Sequence, residues 1–454
     1  MEKEGIEKVS HKDLFWNIGA TVLKVASAAI LLPFILKYFS NELVGIWIIF
    51  MAITTLVVLI DFGFRPTFTR NVSYIFSGVK NLQIQGIETT ATHHLETDYG
   101  LLNGLIHSMR WFYSRGALFI LILSATVGTG YIFYLLREYS GDKTEVLIAW
   151  VILCMNNTYN FYTFYYESLL MGKGLVRKNK QIIIIGRLAY LAVAIVLILC
   201  GAGLIAVVSS QIIATIITRI LSYNVFFTKS LKSKLANAIP KNKIELIKAI
   251  YPNAVKIGLV YCGSVLVMQS TVFIGSFYLN LDEIGSFGIT LQLTTLLVTL
   301  SKLYLDTFFP KIVQYYSHND FSSIKQIYRK GKWYFFIIFI TGGAMLLFLG
   351  NPVLQLIGSK TPLIPFSLLA VLLLFLLLDT QQVLASNILL AGNKVPFLKS
   401  NLITGLFSIL LIFALLTIYP TGLWALILGP GIAQIVYQNW KWPIVTHKLL
   451  KENS

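Results

Sequence analysis

The chain has 454 residues, of which 56% are hydrophobic and only 13% charged, and its mean hydropathy is +0.72. A soluble chain carries about a quarter charged residues, so this composition excludes a water-facing fold and marks an integral membrane protein. The formal net charge of +17 would suggest a nucleic-acid partner in a soluble protein; here a positive-inside topology accounts for it, as the distribution below tests.

Aromatic residues make up 13% of the chain, and many are the Tyr and Trp that suit membrane interfaces. The three cysteines, Cys154, Cys200 and Cys262, all lie in apolar runs. An odd, buried set argues against a disulfide framework. Leu14 to Phe39 is too long for a signal-peptide core and no small-residue cleavage site follows, so a retained first helix is expected.

A span needs about 20 mostly apolar residues. Such stretches fall at 14–37, 43–64, 111–136, 146–170, 182–200, 203–227, 251–278, 285–309, 333–350, 362–390, 398–419 and 422–440. The expected fold is therefore all-α, with about twelve transmembrane helices. Lys and Arg concentrate in alternate connections: Lys3, Lys8 and Lys12 at the N-terminus, then Arg65, Arg70, Lys80 and Arg110, then Lys173, Arg177, Lys178 and Lys180. The pattern continues with Lys229 to Lys248, Lys311 to Lys332, Lys394 and Lys399, and Lys441 to Lys451 in the tail. The intervening connections are short and hold little beyond Lys37, Arg137, Lys143 and Lys360. Both termini are expected to be cytoplasmic, and no nucleic acid is needed to explain the charge.

The chain also repeats itself. A shift of 240 places Tyr38, Gly45, Ile49, Thr54, Thr55, Leu56, Val58, Thr67 and Phe68 on Tyr278, Gly285, Ile289, Thr294, Thr295, Leu296, Val298, Thr307 and Phe308. A shift of 219 places Lys180, Gly186, Leu191, Gly203, Leu204 and Ala206 on Lys399, Gly405, Leu410, Gly422, Leu423 and Ala425. The offset changes because the 65–110 connection is longer than its counterpart 310–332, an insertion of the kind surface loops tolerate. Six helices per half gives a parallel repeat about an axis along the membrane normal. The expected organisation is an N-lobe over 1–228 with a long cytoplasmic loop at 65–110, a basic linker over 229–250, and a C-lobe over 251–454.

Charged and polar residues inside a span are costly and turn inward. Helical stripes of this kind are Asn17, Thr21, Lys24 and Ser27; Asn156, Asn160, Thr163 and Glu167; Gln292, Thr295, Thr299, Lys302 and Asp306; and Asp379, Gln382 and Ser386. The alternative for the neutral members is interhelical hydrogen bonding alone. Lys24 lies near mid-span and is expected to face a cavity, whereas Lys256 and Lys302 lie closer to the basic side and either face it or snorkel. Arg187 and Arg219 are expected to snorkel or pair locally. Together Lys24, Lys256 and Lys302 suit an anionic headgroup. Asp379, and less centrally Glu167, are the candidates for coupling to H+ or Na+. The rings of Tyr159, Tyr162 and Tyr166 either stack on sugars or pack between helices.

His93, His94 and His107 have no Cys or acidic cluster at ligand spacing, so no metal site is expected. There is no phosphate-binding glycine loop and no hydrolase motif. The chain is expected to move or dock something, with no catalytic residues and no cofactor.

The corner Asp61-Phe62-Gly63, followed by Arg70, resembles the acidic-Phe-Gly then arginine corner after the second helix of bacterial polysaccharide export proteins. These are the Wzx-type O-antigen and capsule repeat-unit flippases of the multidrug/oligosaccharidyl-lipid/polysaccharide (MOP) superfamily. Met171-Gly172-Lys173 and Gly203-Leu204-Ile205-Ala206 are similar to further features of that family. The 71–110 stretch, rich in His and Thr, departs from the pattern. The resemblance implies two six-helix lobes around a central cavity, alternating access, and transfer of undecaprenyl-pyrophosphate-linked oligosaccharide across the bacterial inner membrane, coupled to an ion gradient. It implies membrane lipids and the polysaccharide polymerase and ligase machinery as partners. On this reading Lys24, Lys256 and Lys302 draw in the headgroup, and Asp61, Gly63, Arg65 and Arg70 hold the cytoplasmic gate. Asn17, Thr21, Asn160, Gln292, Thr299 and Gln382 line the cavity. The rivals are a multidrug or metabolite cation antiporter of the same superfamily, a membrane scaffold for a glycan synthase, and a gradient-independent scramblase.

Overall fold

The computed structural model describes residues 11–76, 78, 97–317, 320–391, 396–418 and 421–452. Among them the chain is helical, with no strand. In order the helices are α1 (His11–Tyr38), α2 (Asn41–Leu59), α3 (Phe64–Phe76), α4 (Tyr99–Leu123), α5 (Thr129–Leu135), α6 (Lys143–Tyr162), α7 (Tyr165–Gly172), α8 (Val176–Leu199) and α9 (Gly203–Phe226). They continue as α10 (Lys229–Ala236), α11 (Lys243–Gly275), α12 (Leu281–Ser317), α13 (Phe321–Leu356), α14 (Phe366–Ala391), α15 (Leu398–Thr417), α16 (Leu423–Ile435) and α17 (Gln438–Glu452). A π-helical turn at Ser124–Gly128 joins α4 to α5, and there Gly128 leaves room for the ring of Trp150.

Eight stretches among the described residues are long and apolar enough to cross a membrane: Asn41–Leu59, Tyr99–Leu135, Val176–Leu199, Gly203–Phe226, Leu281–Phe309, Phe321–Leu356, Phe366–Ala391 and Lys399–Thr417. Their outward faces are greasy at helical spacing. Ile403, Leu406 and Leu410 are each more than half exposed, as are Leu118 and Ile122. Such belts are a liability in water and a requirement in lipid. Of the four other expected spans, 146–170 and 422–440 are each broken in two, at Thr163–Phe164 and at Val436–Tyr437. The remaining two, 14–37 and 251–278, lie on α1 and α11.

One expectation needs correcting. The connection expected as a loop over 65–110 holds α3, and α4 begins at Tyr99 rather than near 111. Hydropathy misses α3 because it is amphipathic and carries Arg65, Pro66 and Arg70. Its buried face is Phe64, Thr67, Phe68, Asn71, Val72 and Ile75, stepping by three and four. His93 and His94 lie outside the described residues.

The chain forms two compact units, Met1–Leu31 with Thr54–Tyr261, and Leu32–Ile53 with Cys262–Ser454. In the first, α8 and α6 pack on α9, α4 on α6, and α3 on α7. In the second, α13 and α14 pack on α12, α15 on α16, and α17 on α14. Two glycines that the 219-residue shift aligns, Gly203 and Gly422, share a left-handed backbone with φ of 48° and 58°. Each opens a helix, a conformation glycine adopts without steric cost. At Gly203 a second constraint applies: the Glu145 carboxylate accepts a hydrogen bond from the Leu204 N–H at 2.5 Å, and a Cβ on Gly203 would overlap it. A carboxylate there also complements the helix dipole.

In the second unit the start of α2 lies against the start of α12. A Cβ on Gly45 would come 2.3 Å from the Leu281 carbonyl oxygen, and one on Gly285 would come 2.9 Å from that of Asn41. Gly45 and Gly285 are the pair aligned by the 240-residue shift. Backbone oxygens cannot swing aside as a side chain does, so Gly45→Ala should lower the thermal unfolding temperature. Overpacking typically costs about 1–3 kcal/mol. Gly130, with nothing within 4 Å of its position for a Cβ, is the control. Gly130→Ala should raise that temperature, by the equivalent of up to about 1 kcal/mol. Differential scanning fluorimetry in detergent reads both.

Candidate functional site

The corner after α2 is built by backbone strain and one buried acid. Phe62 and Gly63 both take positive φ, 43° and 76°. For a bulky residue this is a rare, costly conformation. The chain reverses there, and the ring of Phe62 lies where a side chain on residue 258 would be, beside Gly258. The reversal brings Asp61 to the start of α3. Its carboxylate accepts from the Arg65 N–H at 3.1 Å and from the Tyr113 hydroxyl at 2.7 Å. Asp61 and Tyr113 are both buried. Burial pushes the Asp61 carboxyl above its usual range, and the Tyr113 hydroxyl and the Arg65 guanidinium and N–H pull it part of the way back. Two hydrogen bonds thus make a buried carboxylate tolerable.

Arg65 carries the network to α7. Its guanidinium Nη1 donates to the Glu167 carboxylate at 3.2 Å, and its Cζ lies 4.2 Å from the centroid of the Phe164 ring. Its carbonyl accepts from the hydroxyls of Thr69 and Ser168. The break between α6 and α7 at Thr163–Phe164 is what turns Phe164 and Glu167 toward α3. Beneath the polar groups lies an aromatic core. The rings of Phe64 and Phe112 stack at 3.9 Å between centroids, and Phe68, Phe161, Phe164 and Tyr165 surround Tyr113.

Further into the membrane-spanning part, Arg219 of α9 donates from Nη2 to the Asn160 side chain at 2.7 Å. Its Nε is buried and makes no hydrogen bond. Glu167 is the acid that both Arg65 and Arg219 feel. The first unit therefore gathers Asp61, Arg65, Asn160, Glu167 and Arg219 into one region.

The other candidate residues are placed as follows. Gly63 forms the strained turn, and Arg70 lies exposed on α3, one turn and a half from Arg65. Lys302 and Asp306 pair within α12 at 4.0 Å. Gln292 bonds to Met51 at 3.3 Å, and the Thr299 hydroxyl to the Thr295 carbonyl. Gln382 is buried and donates to Ser386 at 2.9 Å. Asp379 lies on α14 with Asn439 of α17 as its polar neighbour, and its Oδ1 makes no hydrogen bond. The side chains of Lys24, Lys256, Asn17 and Thr21 lie outside the described residues. No group of His, Cys, Asp and Glu able to hold a metal occurs among those that are described.

Tyr113 was not legible as a site residue. Nothing in an apolar run links position 113 to position 61. Arg219 pairs with Asn160 of another helix, 59 residues away, and keeps one buried guanidinium nitrogen unmatched.

No protein-family model matches the chain, and no curated protein does. Solved structures do. An inward-facing multidrug resistance MATE family transporter of the MOP superfamily aligns with a TM-score of 0.64 at 12% identity, over 98% of this chain and 96% of its own. An outward-facing one aligns at 0.58 and 13%, over 97% and 96%. A MOP superfamily transporter from Pyrococcus furiosus, described by a binding pocket of reverse polarity that suggests a different function, aligns at 0.58 and 12%, over 98% and 99%. At these identities the likeness establishes the fold: this is a MATE-like transporter fold over essentially its entire length.

Packing, rather than charge, should dominate the join of α3 to α7. The Arg65–Glu167 pair is about a third exposed, where ion pairs are worth about 0–1 kcal/mol. A Cβ on Gly172, by contrast, would fall 2.5 Å from the Val72 side chain and 2.7 Å from the Thr69 carbonyl oxygen. Gly172→Ala should therefore destabilise by about 1–3 kcal/mol and Glu167→Gln by under about 1 kcal/mol. Thermal unfolding of both variants in one detergent decides the order.

Proposed function

We propose that the chain carries an amphipathic anion across the membrane, and that the anion is a polyprenyl-pyrophosphate-linked oligosaccharide. The observation that carries this reading is Arg219. A guanidinium buried in a span, with one N–H donor unmatched, is a site of unspent positive charge. Arg65 adds a second cation within the same unit; both arginines interact with Glu167, and Arg65 also with Asp61. Guanidinium forks suit phosphate oxygens, and low dielectric strengthens the attraction. Lys24, Lys256 and Lys302 are proposed to draw in the headgroup, with the tail left in the bilayer. Tyr159, Tyr162 and Tyr166 are proposed to offer faces for sugar rings.

On this proposal the chain works by alternating access in the bacterial inner membrane, with H+ or Na+ coupling through Asp379. The strained corner at Asp61, Gly63 and Arg65 serves the gate on the basic side, and the polysaccharide polymerase and ligase machinery takes up the product. A second reading has its own support. Asp379 is a mid-span acid with an unmatched oxygen, which suits an organic cation, and two of the structural neighbours are multidrug transporters. The balance of intramembrane charge favours the anion.

The test is transbilayer movement of a labelled polyprenyl-pyrophosphate oligosaccharide in proteoliposomes, read as access of an external glycosidase. Gradient-dependent movement is expected, with Arg219→Gln reducing the rate at least about tenfold, the cost of losing roughly one charge-assisted hydrogen bond. Movement without a gradient would indicate a scramblase. No movement, with efflux of an organic cation lost in Asp379→Asn, would establish the antiporter instead.

A further inference from the structure

The connection between α9 and α11 would serve as a tether if it only had to join two halves. It is instead held against the first unit at several points. Leu231 and Leu235, one turn apart on α10, are buried. The Asn103 side chain on α4 donates to the carbonyls of Leu235 and Ala238. The Lys241 N–H donates to the Gly100 carbonyl, and the Ser108 hydroxyl to that of Lys243. Lys241 also pairs with Asp98 at 3.4 Å. Gly100 and Gly104 admit the linker backbone so closely that a Cβ on either would fall within 3 Å of the Ile239 or Lys241 carbonyl oxygen.

A fixed shelf of this kind presents its charge in a defined place. Residues 228–250 hold six lysines (Lys229, Lys232, Lys234, Lys241, Lys243 and Lys248) and one acid, Glu245. Lys229, Lys232, Lys243 and Lys248 are exposed. Between α10 and α11 stands Ile239, 88% exposed and followed by Pro240. The shelf is tied to the bilayer by chain length. Phe226 ends an apolar span, and Lys229 follows three residues later, so it lies within about 11 Å of that end even if fully extended. That is comparable to the Debye length of about 8–10 Å. Lysines at that height feel the field of an anionic leaflet, and an exposed isoleucine among them suits the apolar region just below the headgroups.

We propose that the α10 shelf is a docking surface for anionic phospholipid headgroups, with Lys229, Lys232 and Lys248 as its principal contacts and Ile239 as its apolar foot. An ordered surface has already met the entropic cost of presenting these charges, so binding should be tighter than to a flexible basic linker of the same composition.

The experiment titrates the full-length chain in neutral detergent with short-chain phosphatidylglycerol or phosphatidylcholine, read by native mass spectrometry. Phosphatidylglycerol should be preferred, and the preference should fall as salt rises. Lysines near an anionic surface contribute about fivefold each, so Lys229→Gln, Lys232→Gln and Lys248→Gln combined should reduce the preference by up to about a hundredfold. The corresponding Arg variants should retain it. Equal phosphatidylglycerol retention by wild type and the Gln variant would overturn the proposal. So would a salt-independent preference in the wild type, or displacement of the lipid by a polyglutamate peptide or an oligonucleotide at lower concentration. The salt and Arg measurements stand even where the Gln variant does not fold.

Discussion

Burying one carboxylate sets the form of the first unit. An ionised acid out of water needs hydrogen bonds, and Asp61 has two, from the Tyr113 hydroxyl and the Arg65 N–H. The first fixes α4 against the end of α2, and the second starts α3 in the direction the corner requires. Phe62 and Gly63 take left-handed conformations so that both bonds form at once. With α3 set, Arg65 is presented to Phe164 and Glu167 on α7. The aromatic core around Tyr113 closes beneath. Backbone strain, a buried charge and a fully buried tyrosine are each unfavourable alone. They persist because each supplies what another needs.

Much of the fold was legible because bilayers impose a simple code. Long apolar runs located each of the eight apolar spans, although α4 and α13 begin 12 residues before the expected starts at 111 and 333, and the duplication aligned Gly203 with Gly422, which share a left-handed backbone. What stayed hidden has physical reasons. The α3 helix is polar on average, so a hydropathy window passes over it; only the step from Phe64 to Phe68, Val72 and Ile75 marks its buried face. The breaks at Thr163–Phe164 and Val436–Tyr437 carry no glycine or proline at the break itself, so two pairs of short helices read as single spans. The linker helix α10 is too short and basic for a pattern of apolar residues to announce it beyond Leu231 and Leu235.

At the site level, the corner itself was readable, since an acid, a glycine and an arginine at a helix end are informative residues. Their partners were not. Tyr113 and Glu167 lie 52 and 106 residues from Asp61 in sequence, and no local pattern links them. Arg219 shows the limit in another form. Its partner Asn160 lies 59 residues away on α6, and the unmatched Nε that gives the arginine its proposed role depends on packing from several helices. The proposal of an anionic cargo rests on this arginine and not on the fold, which is shared with multidrug transporters.

The dependence of the first unit on the Asp61–Tyr113 bond is most directly tested by a double-mutant cycle on thermal stability with Asp61→Leu and Tyr113→Phe. Each single change leaves one buried polar group without its partner, a cost of about 1–3 kcal/mol. The double change removes both groups, so its cost should fall short of the sum by at least about 1 kcal/mol. Strict additivity would contradict the account, since it would mean that the carboxylate and the hydroxyl are stabilised independently of one another.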